Sequence, residues 1–422
     1  MAVIMPAGAP QEGRTGLLAH WPMIQPLLQA ADLRGAAQLT TEAVVGLTNL
    51  VEAMHARIAT LPVLGTPAAD ERTRGLTGLV YKTVRGVTHV VGGSVEALLG
   101  WLGPTLADDG SSQLPPAERE AIVAALNGVV GDHLAATGNP LAIAMAFRAG
   151  GRALSLERFA LRARLRDAGP RPLILLHGLC MNDLQWQRDG HDHGAALARD
   201  AGFTPIYLHY NSGLSISTNG RVLAQQMERL FDSWPVPIAG VTMLGHSMGG
   251  LVARSALHHS ALIARGGLRW PTRVANLVCL GTPHQGAALE SVGNMVDLLL
   301  GATPYAGPLA RIGQVRSAGI NDLRHGNIVS TKAEDTIIPL PDGPRCYAVA
   351  ADLSPAGDGA AGHLLGDGLV SVASALGQHR QPARRLRFAD EHQAVVHATN
   401  HLDLLSSAEV YAQLRNWLSA AS

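Results

Sequence analysis

Gly245-His246-Ser247-Met248-Gly249 constrains this chain more than any other stretch. The apolar run Val241-Thr242-Met243-Leu244 precedes it and reads as a buried strand, and residues 250–257 follow and read as a helix. Strand, G-x-S-x-G, helix is the sequence form of a nucleophile elbow. So sharp a turn strains the serine backbone, and side chains two residues to either side would collide. Glycine is therefore required at 245 and 249. The strain holds the Ser247 hydroxyl above the sheet, at the positive end of the next helix.

The chain around this elbow divides in two. Residues 1–138 read as a helical N-terminal accessory region. Apolar positions recur at helical spacing over 39–61, ending at Pro62; a second segment spans 72–102, ending at Pro104. Pro115-Pro116-Ala117-Glu118 opens a third, running to about residue 136. From about residue 140 the pattern changes, and 139–422 reads as one α/β domain. Residues 141–147 and 153–158 flank Arg148-Ala149-Gly150-Gly151-Arg152 as a hairpin. Strands are expected over 172–176, 204–210, 241–244, 274–280, 345–351 and 385–396. Helices are expected between most of them, including 220–234 and 248–264, with a last one over 408–418. Alternation of this kind means a mostly parallel, doubly wound sheet with helices on both faces. Residues 285–344 are longer than an ordinary crossover and form a candidate cap or lid, with an apolar helix over 287–300.

Composition excludes several function classes. Lys plus Arg equals Asp plus Glu at 33 each, which gives no electrostatic case for nucleic acid or for strong attraction to anionic membranes. Cys180, Cys279 and Cys346 are too few and too scattered for a disulfide framework or a zinc site. No basic segment followed by an apolar core opens the sequence, and no run of about 18 uncharged apolar residues occurs, so a cytoplasmic location is expected. No G-x-G-x-x-G lies between a suitable strand and helix, and neither cofactor nor metal is expected.

A serine hydroxyl near neutral pH needs a histidine to take its proton, and that histidine needs a carboxylate. In a sheet of this kind the chain order is Ser, then Asp or Glu, then His. His401 follows the last expected strand and precedes the last helix, with His392 and His397 as nearby rivals. Asp367, in Gly366-Asp367-Gly368, lies between the last two strands; Asp352 and Asp358 compete with it from the same region. A negative tetrahedral intermediate needs preformed N–H donors. The first is the backbone N–H of Met248, and the second is that of Leu179, after the strand that ends in His177-Gly178.

These pieces, with Gly281-Thr282-Pro283-His284-Gln285-Gly286 and Asn400-His401-Leu402-Asp403, resemble the α/β-hydrolase superfamily. Within it they are similar to bacterial triacylglycerol lipases and to the lipase-like domain of GPI inositol-deacylases. The likeness runs over about residues 172–419 and leaves 1–138 outside. It implies an α/β-hydrolase fold, with Ser247 as nucleophile, Asp367 as acid, His401 as base, and Leu179 with Met248 as the oxyanion hole. Asp403 matches a calcium-binding aspartate of some such lipases, but the other ligands are not recognisable and calcium is not expected.

The expected activity is lipase- or esterase-like hydrolysis of a small-molecule or lipid ester through an acyl-enzyme. An acyltransferase or thioesterase would use the same triad. A docking protein is the rival of another class, with the N-terminal helices meeting a lipid or polymer surface. His191-Asp192-His193 reads as a polar loop rather than a metal cluster, and His258-His259 as helix residues pointing different ways.

Overall fold

The computed structural model describes residues 117–263, 268–287, 317–330, 337–355 and 366–419, together with 34, 35 and 38. The first two N-terminal segments, Asp358, and the expected helix over 287–300 (apart from Ala287) lie outside the described residues, as does much of the candidate cap.

Eight strands make one sheet: β1 Ala146–Ala149, β2 Arg152–Ala153, β3 Pro172–Leu176, β4 Thr204–His209, β5 Val241–His246, β6 Val274–Leu280, β7 Arg345–Asp352 and β8 Gln393–His397. Their order across the sheet is β2-β1-β4-β3-β5-β6-β7-β8. β3 to β8 run parallel, and the β1–β2 hairpin joins antiparallel at the β4 edge. Every residue of β3 and β5 is buried, as expected for central parallel strands covered on both faces.

The helices are α1 Ala117–Ala136, α2 Arg158–Arg164, α3 His193–Ala201, α4 Ile216–Ser233, α5 Met248–Ile263, α6 Ala318–His325, α7 Val372–Ala375 and α8 Ala408–Ser419. They flank both faces of the sheet. α4 packs along α5, and α3 packs with α8. α4 starts four residues before the expected position because Ser215 Oγ accepts the Thr218 N–H and caps it there.

Three expected strands are markedly shorter or shifted in the structure. The 141–147 arm of the hairpin forms only from Ala146 and runs on to Ala149. The 153–158 arm of the hairpin stops at Ala153, and α2 takes over from Arg158. The 385–396 strand is reduced to Gln393–His397, because 3-10 turns at Pro382–Arg384 and Asp390–His392 break the run before it reaches β7.

α1 shares the core of the sheet. Leu126, Val129, Val130 and Leu134 belong to the same buried apolar cluster as β3, β4 and β5. Its Glu120 reaches a buried ionic group: Arg148 Nη1 lies 3.1 Å from both Glu120 Oε2 and Asp183 Oδ1, and His209 Nδ1 lies 3.0 Å from Asp183 Oδ1.

Candidate active site

Strand order fixes where a site can form. The chain leaves β3 toward β4 on one side, and leaves β5 toward β6 on the other. The loops at the carboxyl ends of β3 and β5 therefore diverge and open a crevice. Leu176 lies opposite Gly245 across these strands, so His177-Gly178 and His246-Ser247 leave the sheet side by side. A Cβ on Gly178 would sit 3.2 Å from Ser247 Cβ and 3.3 Å from His246 Nδ1.

Ser247 has φ of 54°, left-handed for a residue with a side chain. It sits between the end of β5 and the start of α5. Its N–H donates to Leu280 O at 2.8 Å, and its carbonyl accepts the Gly250 N–H at 3.1 Å. A Cβ on Gly249 would run into Leu176 O, and one on Gly245 into the backbone of Gly249 and Gly250. The two glycines are there because the turn brings backbone to where side chains would be.

His401 and Asp367 are paired. His401 Nδ1 lies 2.6 Å from Asp367 Oδ2, with both residues buried. Asp367 Oδ1 accepts the N–H groups of Leu369 at 3.0 Å and Val370 at 2.7 Å. The His401 N–H donates to the Asp367 carbonyl at 3.2 Å. A carboxylate held by two N–H groups accepts from Nδ1–H and leaves the Nε2 lone pair free. Gly281, with φ of 56°, gives the ring its place: a Cβ there would come 3.1 Å from His401 Cε1 and Nδ1. Leu280-Gly281 is thus a ledge with Ser247 bonded to one residue and His401 lying against the next. Ser247 Oγ and His401 Nε2 are both buried, and neither has a hydrogen-bond partner among the described residues.

The rivals are placed elsewhere. Asp352 ends β7, where its Oδ1 accepts the Ser354 N–H at 3.1 Å and its Oδ2 lies 3.8 Å from His397 Nδ1 on β8. His392 packs against the Tyr347 ring. Asp403 lies 3.7 Å from Arg188, and among the described residues no group of three or more His, Cys, Asp or Glu side chains could hold a metal ion. Within the polar loop, His191 Nε2 meets His193 Nδ1 at 2.8 Å, and His193 Nε2 donates to Leu404 O at 2.9 Å. His259 bonds Ser217, with the His258 ring set edge-on beside it.

Leu179 is fully buried in the loop after β3, and Met248 is the first residue of α5. N–H groups in a first helical turn have no acceptor within the helix. Cys180 follows Leu179 with φ of 57°, and burial pushes its thiol up to about 12. Burial likewise raises Cys279 and Cys346.

Two supporting histidines were not singled out from the sequence. His246 Nε2 lies 2.9 Å from His401 O. A ring nitrogen facing a carbonyl donates, so His246 pins the His401 backbone. Burial and the neighbouring His401 hold its pKa well below the ordinary value. His177 stacks on Tyr210, whose hydroxyl donates to His177 O at 2.8 Å; burial lowers its pKa to about 3. Both are neutral braces. The signal available in the sequence was their place, each at the end of a central strand beside a site glycine. A third brace is the buried Arg254 of α5, which donates to Ile338 O at 2.6 Å and to His284 Nδ1 at 3.2 Å, holding the loop after β6.

Residues 167–339 match the family model described as PGAP1-like alpha/beta domain. Among curated proteins, none matches the chain. Solved structures similar to it include the mature lipase BlEst2 of Bacillus licheniformis, at 20% identity, 58% of this chain, 91% of that one and a TM-score of 0.40. A Pyrobaculum calidifontis esterase gives 14% identity, 60% of this chain, 76% of that one and a TM-score of 0.37. The YbtT type II thioesterase of the yersiniabactin pathway gives 14% identity, 60%, 94% and 0.38. The family match is to an alpha/beta domain, and the mostly parallel sheet with helices on both faces agrees with it and is consistent with an α/β-hydrolase fold core.

Proposed function

We propose that this chain is a serine hydrolase that cleaves carboxylic esters by way of an acyl-enzyme. The observation that carries the reading is a left-handed serine on a strand-to-helix turn, on the same ledge as a buried histidine whose Nδ1 is held by a carboxylate.

Ser247 Oγ bonds to the ester carbonyl carbon while His401 Nε2 takes its proton. Asp367 keeps the lone pair on Nε2 and stabilises the imidazolium. The carbonyl oxygen, now negative, accepts the N–H groups of Leu179 and Met248. The bond from carbon to the leaving oxygen then breaks, and that oxygen takes the proton from His401. A water activated by His401 repeats the sequence and releases the carboxylic acid. None of these steps calls on a cofactor. The substrate class is a small-molecule or lipid ester with an apolar acyl chain. Residues 1–138 are the accessory region, the candidate for peripheral contact with a lipid or polymer surface, and residues 139–422 are the catalytic domain.

A series of p-nitrophenyl esters of increasing acyl length, run on wild type and Ser247→Ala, tests this. The expected result is activity that rises with chain length and falls by at least about 10³-fold in the variant. Hydrolysis unchanged by the substitution would overturn the mechanism, and a flat length profile would overturn the acyl preference. Faster turnover with added alcohols or with thioesters would instead mark an acyltransferase or a thioesterase.

A further inference from the structure

α1 lies against the loop that carries Leu179, and at Gly128 the helix brings backbone alone to the contact. A Cβ on Gly128 of α1 would run into Cys180 Sγ, and would come 2.8 Å from Cys180 Cα and 2.9 Å from its nitrogen. The helix is flush with the Cys180 main chain. Cys180 is a residue with a side chain at φ of 57°, a conformation that persists only where neighbours impose it.

One bond to Cys180 itself and a set of ties that hold its neighbours impose it. The Cys180 N–H donates to Ser212 Oγ at 3.0 Å, in a buried bond. Ser212 belongs to the loop after β4, and that loop is itself tied to α1: Asn211 Nδ2 donates to Gly131 O at 2.8 Å, and Gly213 N donates to Asn211 Oδ1 at 3.0 Å. The far side of α1 is held by α6, where Ser317 Oγ donates to Gly128 O at 2.7 Å and the Ala318 N–H donates to Asp132 Oδ2 at 2.8 Å. On the other flank of Leu179, Gly178 faces Ser247 Cβ. Leu179 therefore sits between two fixed points, the Gly178 approach to Ser247 and the Cys180–Ser212 bond. With both ends fixed, few orientations of the Leu179 peptide remain.

We propose that Ser212 and Gly128 are positioning residues for the oxyanion loop, so that residues 117–136 belong to the catalytic apparatus although they lie ahead of the matched family region. Ser212 acts through Cys180 and touches no substrate. Preorganised donors are the large term in this kind of catalysis, and their value depends on pointing at the oxygen before charge develops. This inference rests on the proposed ester hydrolysis with Leu179 as donor.

The test uses the full chain with p-nitrophenyl butyrate. Ser212→Ala removes the acceptor of the Cys180 N–H, and Ser212→Thr keeps it. The expected result is a fall in kcat of about tenfold or more in Ser212→Ala, with KM within about twofold and the rate restored in Ser212→Thr. Affinity for a trifluoromethyl ketone, which becomes a tetrahedral oxyanion on Ser247, falls in parallel with kcat. Gly128→Ala, checked by its melting temperature, should show the same loss. Unchanged kcat in Ser212→Ala would overturn the proposal. So would a loss that follows melting temperature and is not restored by threonine. Labelling of Ser247 by a fluorophosphonate in wild type separates the two levels: no labelling and no turnover sinks the hydrolase reading itself, whereas labelling with an indifferent Ser212 sinks only the positioning role.

Discussion

His401 Nδ1 stands 2.6 Å from Asp367 Oδ2, and the second oxygen of that carboxylate is already committed to two backbone N–H groups. Asp367→Asn places these demands in conflict. The amide oxygen is needed by Leu369 and Val370, which turns the amide nitrogen toward His401 Nδ1 and forces the ring into the other tautomer. The proton then sits on Nε2, where Ser247 needs a base. A fall in kcat of about 10³–10⁴-fold is expected, with the fold intact by circular dichroism. Asp352→Asn, at the neighbouring acid, should cost less than about tenfold. The reverse ranking would assign the acid to Asp352.

Ser247 and Gly249 make opposite predictions about stability. Ser247 occupies a left-handed conformation that alanine adopts no better. Ser247→Gly should therefore melt higher than Ser247→Ala, by an amount equivalent to about 1 kcal/mol. Gly249→Ala adds a methyl where Leu176 O lies, and both atoms belong to rigid central elements. A loss of about 3 kcal/mol or insolubility is expected, read from urea midpoints. Equal midpoints for all three variants would mean that the turn is unstrained.

Four buried histidines make the fold sensitive to acid. Desolvation lowers His177 to about 3 and His193 to about 4, and places His246 and His284 well below the ordinary value. In the unfolded chain each titrates near 6.5. Above that pH both states are neutral at these positions, and the stability is complete. As pH falls, the unfolded chain takes up protons that the native fold refuses. Stability therefore drops, and goes on dropping until the folded values are reached. The slope is about 1.4 kcal/mol per pH unit for each such histidine. Urea midpoints at pH 7.5 and pH 5 should show a clear fall, and His193→Asn should flatten it. A midpoint constant over that range would show that these rings are solvated in the fold.

The site was legible where local chemistry dictates a residue type. The elbow glycines are fixed by backbone collisions, and β6 matches its expected bounds because six of its seven residues are apolar. Asp367 is preferred to Asp352 in the sequence on its Asp-Gly context and the family resemblance; both are acids in the same inter-strand region, and the fold sets Asp367 against His401 and Asp352 near His397. Less legible still were supports that act through the backbone. Ser212 and Gly128 carry no motif, and what marks them is a contact between segments 32 and more residues apart. The 385–396 strand misled because its alternating residues pair with nothing until Gln393 meets Ala348.

Arg148 gives the last expectation. Its guanidinium lies 3.1 Å from Glu120 on α1 and 3.1 Å from Asp183 after β3, and all three side chains are largely shielded from water. Burial pushes the Asp183 pKa up, but His209 and Arg148 more than offset this, and it ends below its ordinary value. Arg148→Met removes the cation that lies against both carboxylates and leaves them facing each other, with His209 beside them. Breaking a buried ionic group from one side costs on the order of 3 kcal/mol, because the remaining charges lose compensation. Adding Glu120→Gln removes one of those charges and should recover part of the loss, a coupling that a double-mutant cycle in urea measures directly. Additive losses would mean that Glu120 and Arg148 act independently and that this ionic group does not help hold α1 to the sheet.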